Sequence, residues 1–114
     1  MLRISVLAAC AIGTGIVSSA QAAEQFIGRW AVNAEVCSSH TGSTAATAAL
    51  VATDTSLSWF DGYCRIGKMY KANAVYVQAH CGEKGDVSVT LNASGDRMKV
   101  TWGKAKPEEL KRCN

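Results

Sequence analysis

The chain has 114 residues, with 12 Lys+Arg against 9 Asp+Glu and a formal net charge of +3. That length suits a single domain. An apolar fraction of 48% with 18% charged residues excludes a disordered chain, a single Pro excludes collagen-like and Pro-rich classes, and so small a charge argues for no nucleic-acid partner.

Met1-Leu2-Arg3 is a short positive start, residues 4–17 are mostly apolar, and Ser18-Ser19-Ala20-Gln21-Ala22 closes on Ala-x-Ala. This is the pattern of a secretory signal peptide, and it predicts cleavage after Ala22. The apolar run of 14 residues is too short for a membrane span, which needs about 20. Leu7-Ala8-Ala9-Cys10 also resembles a lipobox, so lipid anchoring through Cys10 is the alternative to release. The leader is of the short bacterial kind. It sends residues 23–114, as one domain, to the periplasm or the cell exterior.

Removing 22 of 114 residues leaves 92, and losing Arg3 lowers the charge to +2. A domain this small is only marginally held by its core, and cross-links help. Cys37, Cys64, Cys81 and Cys113 remain, and four cysteines in an exported domain predict two disulfides. The rival is zinc, but there is no C-x-x-C pair and neither His stands at ligand spacing. No metal or cofactor is expected.

Residues 26–32 (Phe-Ile-Gly-Arg-Trp-Ala-Val) form the first predicted strand. Residues 38–47 are rich in Ser, Thr and Ala without a clean period, and form either a loop or a short helix. Strands follow at 48–53 and 56–60 around Asp54-Thr55, then at 64–71 and 74–81, then at 87–92 and 98–102 around Gly95-Asp96. Short strands punctuated by turns predict an all-β antiparallel meander, closed as a small barrel or stacked as a sandwich.

The segment between Cys64 and Cys81 carries the pairing argument. With a two-residue turn at Ala72-Asn73, the numbers of opposed residues add to 145, which sets Cys64 opposite Cys81. One face then holds Cys64, Ile66, Lys68, Tyr70, Val75, Val77, Ala79 and Cys81, all apolar except Lys68. In this register the cysteines form a non-hydrogen-bonded pair, where Cα atoms approach to about 4.5 Å, within disulfide reach. Of the three connectivities open to four cysteines, this one leaves Cys37 with Cys113.

Gly28-Arg29-Trp30 is a G-x-W at the start of the first strand, and it resembles the calycins: the lipocalins and their smaller secreted relatives. The resemblance implies a barrel with Trp30 plugging one end and a basic residue near the C-terminus, here Arg112, stacked over it. The small bacterial metalloprotease inhibitors of this superfamily share the size, the export signal, the G-x-W and a disulfide. They insert an N-terminal trunk into the protease, whereas only Ala23-Glu24-Gln25 would precede the barrel here. The Ser-Gly-x-x-Tyr loop of the exported lysozyme inhibitors is also missing from this sequence.

Candidate chemistry is sparse. Ser38-Ser39-His40 sets hydroxyls beside an imidazole, but adjacent residues seldom adopt triad geometry, and a polar loop is the simpler reading. His80 falls on the predicted solvent face. Asp54, Asp61, Glu83 and Asp86 sit near turns. Trp59, Phe60 and Tyr63 lie close together, chiefly as core packing. From Arg97 onward six Lys/Arg oppose only Glu108 and Glu109, a solvated edge or a weak surface for an anionic partner.

Three functional classes follow. The first is an exported disulfide-bonded binding module, possible inhibitors of secreted proteases or lysozymes among them. The second is a secreted bacterial factor acting on a host or neighbouring cell. The third is a small hydrolase using His40 or His80. The first is favoured, with a protein partner outside the cytoplasm and no assigned catalytic residues. Its contact residues are Glu83, Lys84 and Asp86 in the 82–86 loop, the 38–47 loop, and the basic Lys104 and Lys106. The sequence sets no oligomeric state.

Overall fold

The computed structural model describes residues 25–39 and 42–114. The expected leader with Cys10, the expected cleavage site and His40 lie outside these residues.

Eight strands follow in order: β1 Gly28–Ala31, β2 Leu50–Ala52, β3 Ser56–Trp59, β4 Gly62–Lys71, β5 Val75–His80, β6 Asp86–Ser94, β7 Arg97–Trp102 and β8 Glu108–Arg112. Each pairs antiparallel with the next, and β1 pairs with β8, so the meander closes into a barrel. Closure, not stacking, is how this chain removes its sheet edges. The seven expected strands are all present. β8 was not expected, because its Glu-Glu-Leu-Lys-Arg has one apolar residue. That residue, Leu110, is fully buried, while Glu109 and Lys111 face outward.

Inward positions alternate along each strand and carry Leu50, Leu57, Val77, Val89, Leu91, Met98, Val100 and Leu110. Eight strands enclose an interior that side chains just fill. No polar or charged side chain is buried among the described residues. The outward positions are mostly polar and charged, with Tyr63, Tyr70 and Tyr76 as the exposed large hydrophobics, unlike the apolar band of a barrel that faces lipid. No helix among the described residues is long and apolar enough to cross a membrane.

Both expected disulfides are present. Cys64–Cys81 joins β4 to the end of β5 with Cα atoms 4.1 Å apart. Cys37–Cys113 spans 5.7 Å between Cα atoms and fastens the segment after β1 to the C-terminus. Cys37 lies in a short 3-10 helix, Ala34–Ser38, capped by the Asn33 side chain, which accepts from the Val36 N–H at 3.1 Å. Two disulfides fit an oxidising compartment.

The β4–β5 hairpin corrects the expected register. Arg65 faces His80 and Ile66 faces Ala79, as expected, but a bulge between Ile66 and Lys68 then shifts the pairing by one. Beyond it Lys68 faces Gln78 and Tyr70 faces Tyr76, and the turn contains Ala72, Asn73 and Ala74 rather than two residues. Lys68 and Tyr70 therefore point outward, and Met69 takes the inner place expected for them. The physical reason is the Lys68 ammonium, which a filled apolar interior could not pair. Gly67 permits the bulge, because a Cβ there would collide with the His80 ring.

Candidate functional site

In a closed eight-strand meander, alternate connections emerge at the same end. One end of the barrel carries residues 25–27, the turns 53–55, 72–74 and 95–96, and the C-terminus. The other carries the connections 60–61, 81–85 and 103–107 and the 42–49 part of the 32–49 connection, whose Ala34–Ser38 turn folds back along the barrel to the C-terminus through Cys37–Cys113.

The first end is sealed. Trp30 is fully buried, and its Nε1 donates to the Phe26 carbonyl at 2.9 Å. The Arg112 guanidinium lies 4.3 Å from the Trp30 ring centroid and donates to the carbonyls of Ile27 (2.9 Å) and Gln25 (2.7 Å). Gly28 has φ +145°, and a Cβ on it would lie 2.7 Å from Arg112 Nη1. The glycine of the G-x-W thus makes room for the guanidinium over the tryptophan.

The second end is closed below its loops by Trp59 and Trp102, packed edge to face with centroids 5.5 Å apart, with Phe60 beside them. Trp59 Nε1 donates to the Ala48 carbonyl at 3.1 Å, which pins the long 32–49 connection to the plug. Of the aromatic trio expected to pack together, Trp59 is buried and Phe60 partly so, while Tyr63 points to solvent.

Asp61 ties two of these connections, 60–61 and 81–85, to the end of β7. Its Oδ1 accepts from Lys84 Nζ at 2.7 Å and its Oδ2 from Trp102 Nε1 at 3.3 Å. The Lys84 hydrogen bond holds the Asp61 carboxyl below its ordinary pKa, with the Trp102 bond and the Lys84 charge adding to it against partial burial. Sequence reasoning took Asp61 only as a turn residue. Its partners come from a distant loop and from the end of β7, so no local pattern announces it.

The expected contact residues divide. Residues 82–84 form one turn of 3-10 helix that leaves Glu83 exposed. Lys84 is held by Asp61, with most of its side chain in solvent. Lys104 and Lys106 are exposed in the 103–107 connection. Asp86 instead starts β6, directly after the 81–85 connection, and meets His80 Nδ1 at 2.5 Å across the β5–β6 pair. The described part of 38–47 is a compact turn rather than an α-helix. Ser39 Oγ donates to the Thr47 carbonyl at 2.9 Å, and the Thr44 and Thr47 hydroxyls lie 2.8 Å apart.

Chemically, this end offers a rigid, mostly polar rim over a plugged interior. It presents Lys104, Lys106 and Glu83 to solvent, and its carboxylate Asp61 is committed to the scaffold. No protein-family model, curated protein or solved structure matches the chain.

Proposed function

We propose that this protein is an exported binding module that holds a protein partner outside the cytoplasm against the loop end of its barrel. The observation that carries this reading is the convergence of the 60–61, 81–85 and 103–107 connections and the 42–49 segment over a filled, cross-linked barrel. Loops on such a scaffold vary without unfolding it. The exposed Lys104 and Lys106 favour an acidic partner and would speed encounter with it.

A finer reading is an inhibitor of a secreted enzyme of the protease or lysozyme class. Its support is the Gly28–Trp30–Arg112 closure, which matches what the calycin resemblance implies. The His80 hydrolase reading is less favoured, since the His80 ring is engaged by Asp86 and lies over Gly67.

The test is capture of a partner by the oxidised protein, followed by inhibition assays on secreted metalloproteases and lysozymes. Replacing Glu83, Lys84, Lys104 and Lys106 together with Ala should abolish capture and leave the circular dichroism spectrum unchanged. Capture that survives this change, together with a Ser/Gly replacement of 38–47, places the binding surface elsewhere.

A further inference from the structure

The outer wall of the barrel carries a second, unrelated feature. Tyr70 on β4 and Tyr76 on β5 stand opposite each other, 67% and 42% exposed, with ring centroids 6.1 Å apart and planes tilted by 32°. On the neighbouring rung Lys68, Gln78 and Ser88 stand side by side across β4, β5 and β6. Between the two rungs runs an open groove of about 510 Å³, within the range of small-ligand sites.

We propose that this groove binds an acidic oligosaccharide of the uronic-acid class. Two tilted aromatic faces suit the apolar C–H faces of successive pyranose rings, while side chains beside them supply hydrogen bonds to ring hydroxyls. Gln78 Oε1 accepts from Ser88 Oγ at 3.1 Å, which turns the Gln78 amide donors outward. Tyr76 is held by its hydroxyl, which donates to Asn73 Oδ1 at 3.3 Å.

Lys68 is the one charged side chain lining the groove, and it makes no ion pair among the described residues. A single cation among neutral donors matches the carboxylate of a uronate. A nucleic acid would need a track of cations along its phosphates.

The bulge at Gly67 is what creates the site. Without the shift, Lys68 and Tyr70 would point into the barrel, and bulges recur where a side chain must be re-aimed. The groove shares no residue with the loop end, so its failure and that of the partner reading are separate results.

The test is an NMR titration of the oxidised protein with hexamannuronate, with cellohexaose as the neutral counterpart. Saturable shifts confined to the groove residues are expected. Tyr70→Ala and Tyr76→Ala should each weaken binding about tenfold. Lys68→Gln should bring the hexamannuronate affinity down to that for cellohexaose. Lys111→Gln, which removes one exposed charge on β8, a strand that contributes nothing to the groove, should change neither affinity. Melting temperatures of the variants report whether the barrel is intact. Absence of saturable shifts at millimolar hexamannuronate overturns the proposal, as does binding unaffected by both tyrosine changes in folded variants. Equal affinity of the unaltered protein for the two hexasaccharides overturns the acidic assignment.

Discussion

The Trp30 ring combines full burial, a hydrogen bond to Phe26 and a guanidinium stacked on its face. Trp30→Ala removes all three and should cost about 3–5 kcal/mol, as large aromatic truncations in cores do. Urea unfolding measures it, and a loss under about 1 kcal/mol would contradict the plug. Arg112→Lys keeps the charge but loses the planar fork that reaches two carbonyls, so it too should destabilise, by a smaller amount. Asp61 makes a pH prediction. Its pKa is lowered by folding from 3.8, so its stabilising contribution is present above that value and disappears as pH falls through the folded one. Asp61→Asn should therefore be less stable than the unaltered protein near neutral pH, with the gap closing as pH falls below the ordinary carboxylate range and through the lowered folded pKa. The gap should be modest, because Lys84 is largely solvated. A gap independent of pH would show that the carboxylate charge is not what ties these loops.

At the scale of elements, the β4–β5 hairpin separates what was legible from what was not. Near the disulfide the sequence register is right, since alternation of apolar residues from Cys64 to Ile66 and from Ala79 to Cys81 selects one face. Past Gly67 it fails by one residue. Lys68 on the otherwise apolar face was the local sign of trouble, but the remedy depends on a partner strand with His80 at the right height. A double-mutant cycle tests this account. Gly67→Ala should destabilise strongly with His80 present and much less in a His80→Ala background, with a coupling of about 1 kcal/mol or more. Additive losses would remove the His80 ring as the reason for glycine. β8 was illegible for a related cause. With only Leu110 apolar, its alternation has no second inward apolar residue to display a period. The strand exists because β7 and β1 both present unpaired backbone to it.

For the whole molecule, the two cross-links act over different lengths of chain. Cys37–Cys113 spans 76 residues of sequence and Cys64–Cys81 spans 17. In the chain-entropy model these closures are worth about 4.5 and about 3 kcal/mol. Replacing Cys37 and Cys113 with Ala should lower the denaturation midpoint more than the same change at Cys64 and Cys81, apart from the cavity cost at the buried pair. Equal midpoints would mean that β1–β8 pairing alone holds the seam. The sequence by itself determined seven strands and both disulfide pairings. Each follows from a period of two, from turn residues or from cysteine geometry, and such signals are local. The tertiary structure alone decided the eighth strand and the closure, because pairing across the seam joins segments far apart in the chain. It also decided the outward turn of Lys68 and Tyr70, and the joining of two loops and the end of β7 at Asp61. A one-residue bulge reverses every side chain beyond it, and whether it forms depends on the neighbouring strand. A carboxylate that binds a distant loop and a distant strand end leaves no trace in its own neighbourhood of sequence.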